Sequence, residues 1–214
     1  MMCMKKIIAF SFLCLIVHAC EATEWKLKKE TRTMKIFTTN EDNSSYKSVK
    51  VECTVNAKFA QVIAALFDLD RQHEWVYNNK SSKLLKHVSD NELIYYSEVN
   101  VPWPCTNRDF IAHLKVTQPA PDVVNIESHS EPNYLPEKDG LVRVKSSSSH
   151  WVLTAIGNNQ LKIEYTIQFD PSGSVPAWLT NAFVTKGPYE TFDKLQDRIN
   201  MSAYQNATFS FIKQ

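Results

Sequence analysis

Residues 93–169 contain five apolar segments joined by short links, and this run constrains the fold more than anything else in the chain. The segments 93–101, 108–117, 123–130, 141–153 and 160–169 are separated by clusters of Pro, Asn, Asp or Gly. Parallel neighbours need long crossovers, so five strands this close together predict an antiparallel sheet. Lys138-Asp139-Gly140 and Gly157-Asn158-Asn159 are candidate tight turns. At serines 146–149 the apolar parity switches from Val142 and Val144 to Trp151 and Leu153, which predicts a bulge inside one strand.

On either side of this run the periodicity changes. Residues 25–38 and 46–55 read as two strands around a polar turn, Asn40-Glu41-Asp42-Asn43-Ser44. Val49, Val51, Cys53 and Val55 alternate with polar residues, the period of a half-buried strand. Asn56 is a suitable N-cap for a helix carrying Phe59, Val62, Ile63, Leu66 and Phe67 on one stripe and ending near Asp70. A bend at Trp75-Val76-Tyr77 follows. After the fifth strand, Asp170-Pro171-Ser172-Gly173 reads as a turn, and Pro176 opens an amphipathic helix. Its apolar stripe runs through Trp178, Leu179, Ala182, Phe183, Phe192, Leu195 and Ile199. Gly187-Pro188 predicts a kink or a short break. Aromatics before that hinge suit a lid over a cavity; an ordinary helix packed on a sheet satisfies the same pattern. A strongly curved sheet wrapped around this helix buries every apolar face at once, an α+β architecture.

With 214 residues, 43% hydrophobic and 22% charged, the chain suits one globular domain with a sizeable core. Four glycines without a phosphate-loop or dinucleotide pattern give no nucleotide cofactor. No basic tract exists, so nucleic acid is not an expected partner. Lys5-Lys6, an apolar run from Ile7 to Val17 and small residues after it have the marks of a secretory signal peptide over residues 1–20. Val17-His18-Ala19-Cys20 also resembles a bacterial lipobox, with Cys20 as a lipidated first residue; cleavage after Ala19 or Ala22 is the alternative. Losing Lys5 and Lys6 takes the formal net charge from +1 to −1. The expected location is the periplasm or cell envelope, or else the secreted fraction. Cys53 and Cys105 would remain in the mature body, either bonded in an oxidising compartment or as two free thiols.

The stretch Val101-Pro102-Trp103-Pro104-Cys105-Thr106-Asn107-Arg108-Asp109-Phe110 is the most distinctive. Beyond its prolines, Arg108 shares a parity with Phe110, Ala112, Leu114 and Val116, while Asp109, Ile111, His113 and Lys115 share the other. An arginine heading an apolar row needs a carboxylate, a carbonyl or a ligand anion. It either holds the polar head of an apolar ligand or pairs with Asp109, Glu127 or Glu98.

Those residues, with Leu141-Val142-Arg143-Val144-Lys145, Asp170-Pro171-Ser172-Gly173, Trp178-Leu179 and Lys186-Gly187-Pro188, resemble a START (StAR-related lipid transfer) domain. The resemblance covers residues 25–204. It implies a helix-grip fold whose curved antiparallel sheet closes on the C-terminal helix around one sterol, phospholipid or similar apolar molecule. It also implies a gate in that helix and a polar end of the tunnel near Arg108. The ligand-binding residues expected on this basis are Arg108, Phe110, Tyr165, Trp178 and Phe183, in a monomer that binds and transfers a lipid through transient membrane contact. No catalytic residue, cofactor or metal is expected.

Two rival readings remain open. Glu127 and His129 share a parity and would act as an acid–base pair in a cyclase or hydrolase if their face lined the cavity. An open apolar groove would instead accept a partner peptide. No Cys-x-x-Cys or His-x-x-x-His pair gives a structural zinc pattern. Asp70, His73 and Glu74 read as a solvated bend rather than a metal cluster, because neighbours on a helix do not face one another. Tyr165 lies on the parity of Leu161, Ile163, Ile167 and Phe169, lining the pocket or capping a core hydrogen bond.

Overall fold

The computed structural model describes residues 25–39, 47–173, 175, 176, 179 and 182–213. The expected signal peptide with Cys20, the polar turn at 40–44 and Trp178 lie outside the described residues.

The strands are β1 (Trp25–Glu30), β2 (Met34–Thr39), β3 (Lys47–Asn56), β4 (Asn79–Ser89), β5 (Glu92–Val99), β6 (Arg108–Ala120), β7 (Val123–Ser130), β8 (Val142–Arg143), β9 (Ser147–Gly157) and β10 (Gln160–Phe169). Nine form one antiparallel sheet in the order β1-β2-β3-β10-β9-β7-β6-β5-β4, and β8 pairs in parallel with the start of β6. Helix α1 (Phe59–Phe67) and a 3-10 helix (Leu69–Glu74) separate β3 from β4. Helix α2 (Gly187–Arg198) and the short α3 (Ser202–Gln205) follow the sheet. This is the α+β helix-grip fold.

Alternation explains the sheet. Val49, Val51, Cys53 and Val55 of β3, Leu161 and Ile163 of β10, Leu153 of β9 and Val124 and Ile126 of β7 are all buried in one core. Against them pack α1, through Phe59, Val62, Ile63 and Leu66, and α2, through Phe192 and Leu195. The β9–β10 hairpin turns through Asn158 and Asn159, both with positive φ, the conformation asparagine tolerates and this turn type requires.

Several expectations need correction. Residues 25–38 are not one strand: the chain turns at Thr31, whose hydroxyl accepts from the Met34 amide at 3.1 Å, and β1 and β2 form a hairpin. Strand β4 was not anticipated, because it is an edge strand with mostly exposed residues and no alternation to read. Residues 141–153 do not form one bulged strand. The parity switch at 146–149 marks where the chain leaves its parallel pairing with β6 and enters β9. Asn56 is still in β3; Lys58 flanks α1 instead, its amide donating to Gln61 Oε1 at 2.8 Å. The helix stops at Phe67, before the 3-10 helix begins.

The expected break at Gly187-Pro188 is a π-helical turn, Ala182–Lys186, that leads into α2 with Pro188 in its first turn. Proline removes one main-chain donor, and a local change of helical register accommodates the loss. Gly187 is there for close approach: a Cβ at this position would lie 2.9 Å from Tyr77 Cδ1.

Candidate functional site: an apolar cavity under the C-terminal helix

The inner face of the sheet does not fill itself. One row of paired residues runs Val49, Ile167, Ser149, Ser128, Leu114 across β3, β10, β9, β7 and β6. Beside it stand Ala112 and Ser147. In the middle of the row, where a solid core would continue with Val, Ile or Leu, stand Ser149 and Ser128, and with Ser147 and Ala112 they make a strip of small side chains. The space left beneath α2 and its π-helical turn is a cavity of about 320 Å³. Aromatic walls surround it. Trp151, Tyr165 and Phe192 form a cluster with ring centroids 4.6–5.3 Å apart. Tyr95 and Phe110 meet edge to face at 6.0 Å, as do Tyr77 and Phe183 at 6.4 Å.

Four of the five expected ligand-binding residues line this cavity: Arg108, Phe110, Tyr165 and Phe183. The fifth, Trp178, lies outside the described residues. Sequence reading did not single out Tyr95, Tyr77 or the serine strip. The run of serines at 146–149 is the visible signal for the β9 part of that strip; it reads as a backbone irregularity, and in the fold it is missing volume.

Arg108 heads β6 on the same parity as Phe110, Ala112 and Leu114, and all four line the cavity. It is 8% exposed, and its Nη1 donates to the carbonyl of Thr106. Among the described residues it has no carboxylate partner. Asp109 belongs to Arg143, Glu98 belongs to Lys80 and Lys138, and Glu127 is exposed. The proposed ion pair for Arg108 is therefore replaced by a different one. Arg143 Nε and Nη2 donate to the two oxygens of Asp109 at 2.9 and 3.0 Å, with both side chains at most 1% exposed. The carboxylate outweighs burial and holds the guanidinium above its ordinary pKa. Arg143 also donates to the carbonyls of Pro132, Leu135 and Pro136, tying that segment across the outer face of β6.

Beyond Arg108 the polar groups of the lining are uncharged: the serine hydroxyls, Gln72, Thr191, Asn79 and the tyrosines. Burial pushes the Tyr95 phenol up to about 12, and burial with Tyr95 nearby raises Tyr165 too, so both are neutral hydroxyls at ordinary pH. Trp75 Nε1 and Asn79 Oδ1 are buried without a hydrogen-bond partner among the described residues, and both residues line the cavity. Asn79 and Arg108 both pair with Val99 from opposite sides, so these groups gather at one end.

The remaining candidates fall away on geometry. Glu127 and His129 are exposed on the outer face, while Ser128 between them faces the cavity, so they do not converge inside. His73 Nδ1 lies 2.9 Å from the Asp70 carbonyl oxygen, and Glu74 pairs with Arg198; the bend is no metal cluster. Cys53 and Cys105 are free, and burial pushes the Cys53 thiol up to about 12.

A curved antiparallel sheet holding a C-terminal helix over an apolar, largely uncharged cavity defines a helix-grip protein. The START domain pattern matches residues 18–203, and the chain belongs to the START domain family. An uncharacterized protein of Pseudomonas aeruginosa is 30% identical over 175 residues, covering 82% of this chain and 86% of that one. The phosphatidylcholine transfer protein of Mus musculus is 27% identical over 170 residues, 76% of this chain and 78% of its own length. Among solved structures, a fragment of the STAR-related lipid transfer protein from Xanthomonas axonopodis is 26% identical, with a TM-score of 0.75 over 83% of this chain and 99% of that one.

Proposed function

We propose that this protein binds one lipid or other apolar small molecule in the cavity under α2 and transfers it between membranes, without a catalytic step. The observation that carries the reading is the strip of Ser149, Ser128, Ser147 and Ala112, which keeps the inner face of the sheet from closing on itself. A cavity of about 320 Å³ stands at the small end of ligand sites. It suits a compact or single-chain guest, and a two-chain lipid requires α2 to move. Burial of the guest drives binding, at roughly 25 cal/mol per Å² removed from water. Arg108, Trp75 Nε1 and Asn79 Oδ1 orient its polar head. The phosphatidylcholine transfer protein among the relatives supports a lipid as the class of guest.

Exchange follows from how the helix is held. The far end of α2 is fastened: Arg198 pairs with Glu74, and the Ile199 carbonyl accepts from Gln61 Nε2 at 2.9 Å. The near end is held by Tyr77: its ring meets Phe183 of the π-helical turn, and its amide donates to Thr191 Oγ1 in the first turns of α2 at 3.0 Å. Opening from the π-helical end exposes the cavity. Trp103, 89% exposed in the loop between the cavity-lining residues Val99 and Arg108, supplies the transient membrane contact. We place the protein, with its lipid-binding domain at residues 25–204, as a monomer in the periplasm or cell envelope, anchored at Cys20 or secreted after cleavage.

Transfer of a self-quenched fluorescent acyl lipid between vesicles tests this. The wild-type protein should accelerate dequenching. Arg108→Ala should weaken binding of the same probe about tenfold, the worth of one hydrogen bond to a charged group, with an unchanged melting temperature. Trp103→Ala should slow transfer and leave affinity intact. Wild-type protein that neither binds nor moves the probe would refute the reading.

A further inference from the structure

On the opposite face of the sheet, His113, His129 and Glu131 bring three metal-ligating side chains together, with their ligand atoms within 4.8 Å of one another. We propose that these three residues bind one borderline divalent transition cation, Zn²⁺ or Cu²⁺. The site is independent of the cavity, because His113 stands on the parity of β6 opposite to Phe110, Ala112 and Leu114.

The register builds it. His113 of β6 and His129 of β7 are directly paired, with ring centroids 5.0 Å apart. Glu131 follows immediately after β7, its amide donating to the Ile111 carbonyl at 2.9 Å, which holds its main chain beside β6. Glu131 Oε1 lies 3.2 Å from His129 Nε2 and 3.8 Å from His113 Nδ1. Ligand atoms about 2 Å from a tetrahedral cation stand roughly 3.3 Å apart, so these separations need little adjustment.

The protonation pattern also fits. His113 Nε2 lies 2.6 Å from Glu92 Oε1. A carboxylate can accept but not donate, so Nε2–H is the donor to Glu92, and Nδ1 is the ring nitrogen that faces Glu131 and would ligate the ion. A carboxylate behind a ligating imidazole is the usual way such a ring is oriented and made more basic. Lys115 Nζ, 3.5 Å from Glu92 Oε2, steadies that carboxylate from the far side. The His129 side chain is 59% exposed, which leaves a route for the ion and a position for water as a fourth ligand. Two imidazoles and one carboxylate suit Zn²⁺ and Cu²⁺ better than the oxygen-preferring Mg²⁺ or Ca²⁺. A bound ion would join β6 to β7 and pin the start of the segment that Arg143 secures further along.

Calorimetric titration of the full chain with Zn²⁺ and electron paramagnetic resonance with Cu²⁺ test the site. One equivalent should bind saturably, with nitrogen splitting in the Cu²⁺ spectrum and a rise in melting temperature reversed by EDTA. His129→Ala and Glu131→Gln should each weaken binding at least tenfold while melting normally in EDTA. Glu92→Gln, which touches no metal, should also cost about tenfold. His87→Ala, an exposed histidine elsewhere on β4, should change nothing. Absence of saturable binding, or unchanged affinity in His129→Ala or Glu131→Gln, would overturn the proposal and leave a solvated His–Glu pair. Unchanged affinity in Glu92→Gln would overturn the orienting role given to that residue.

Discussion

Asp109→Asn should destabilise the protein by about 3–5 kcal/mol, the cost of stranding one member of a buried ion pair. Neither side chain is more than 1% exposed, so no solvent screening softens the loss. Arg143 would keep its charge and its bonds to Pro132, Leu135 and Pro136, but would lose the opposing negative charge and face an amide that offers one acceptor oxygen and turns an NH2 donor toward the guanidinium. For a chain of this size the melting temperature should fall on the order of 10 °C. Replacing both partners, Asp109→Leu with Arg143→Met, should recover much of that loss, because the double change leaves no buried charge. Urea denaturation of the three proteins checks this. A single-mutant cost under about 1 kcal/mol would show that water reaches the pair, contrary to its burial.

Ala112→Phe should abolish binding of an apolar probe, weakening it more than tenfold, while leaving stability unchanged or slightly raised. The side chain would grow into the void between Phe110, Leu114 and the serine strip. In a solid core the same enlargement costs typically about 1–3 kcal/mol through forced rotamers and backbone shifts. The sign of the stability change therefore distinguishes a hollow interior from a filled one. Paired measurements of probe affinity and unfolding free energy are sufficient. Loss of about 2 kcal/mol with probe affinity retained would contradict the cavity as drawn.

How much of this was legible depends on which residues carried the signal. The central strands alternate cleanly, so β3, β7 and β10 emerge close to their observed bounds. Arg108 and Phe110 fall on the correct face by parity alone. Edge structure is harder: β4 shows no alternation, because water covers most of it on both faces. The turn at Thr31 contains no glycine or proline to mark it. The Asp109–Arg143 pair was missed for a different reason. Asp109 lies on the outer parity of β6, where exposure is the natural reading, and burial there depends on the segment from Pro132 to Pro136 folding across that face. Arg143 meets it through a two-residue parallel contact that no periodicity records. The His113–His129–Glu131 cluster likewise spans two strands, so it matches no short ligand spacing along the chain. The cavity itself was inferred from aromatics in the helix, whereas its physical cause is the small residues of the sheet opposite. Absent volume leaves a fainter trace in a sequence than a side chain does.

Native mass spectrometry of the purified protein, followed by solvent extraction, tests the central claim most directly. The wild-type chain should carry one apolar molecule per protein, released by the solvent and taken up again from vesicles by the stripped protein. A bare mass, together with no uptake by the stripped protein, would contradict the account.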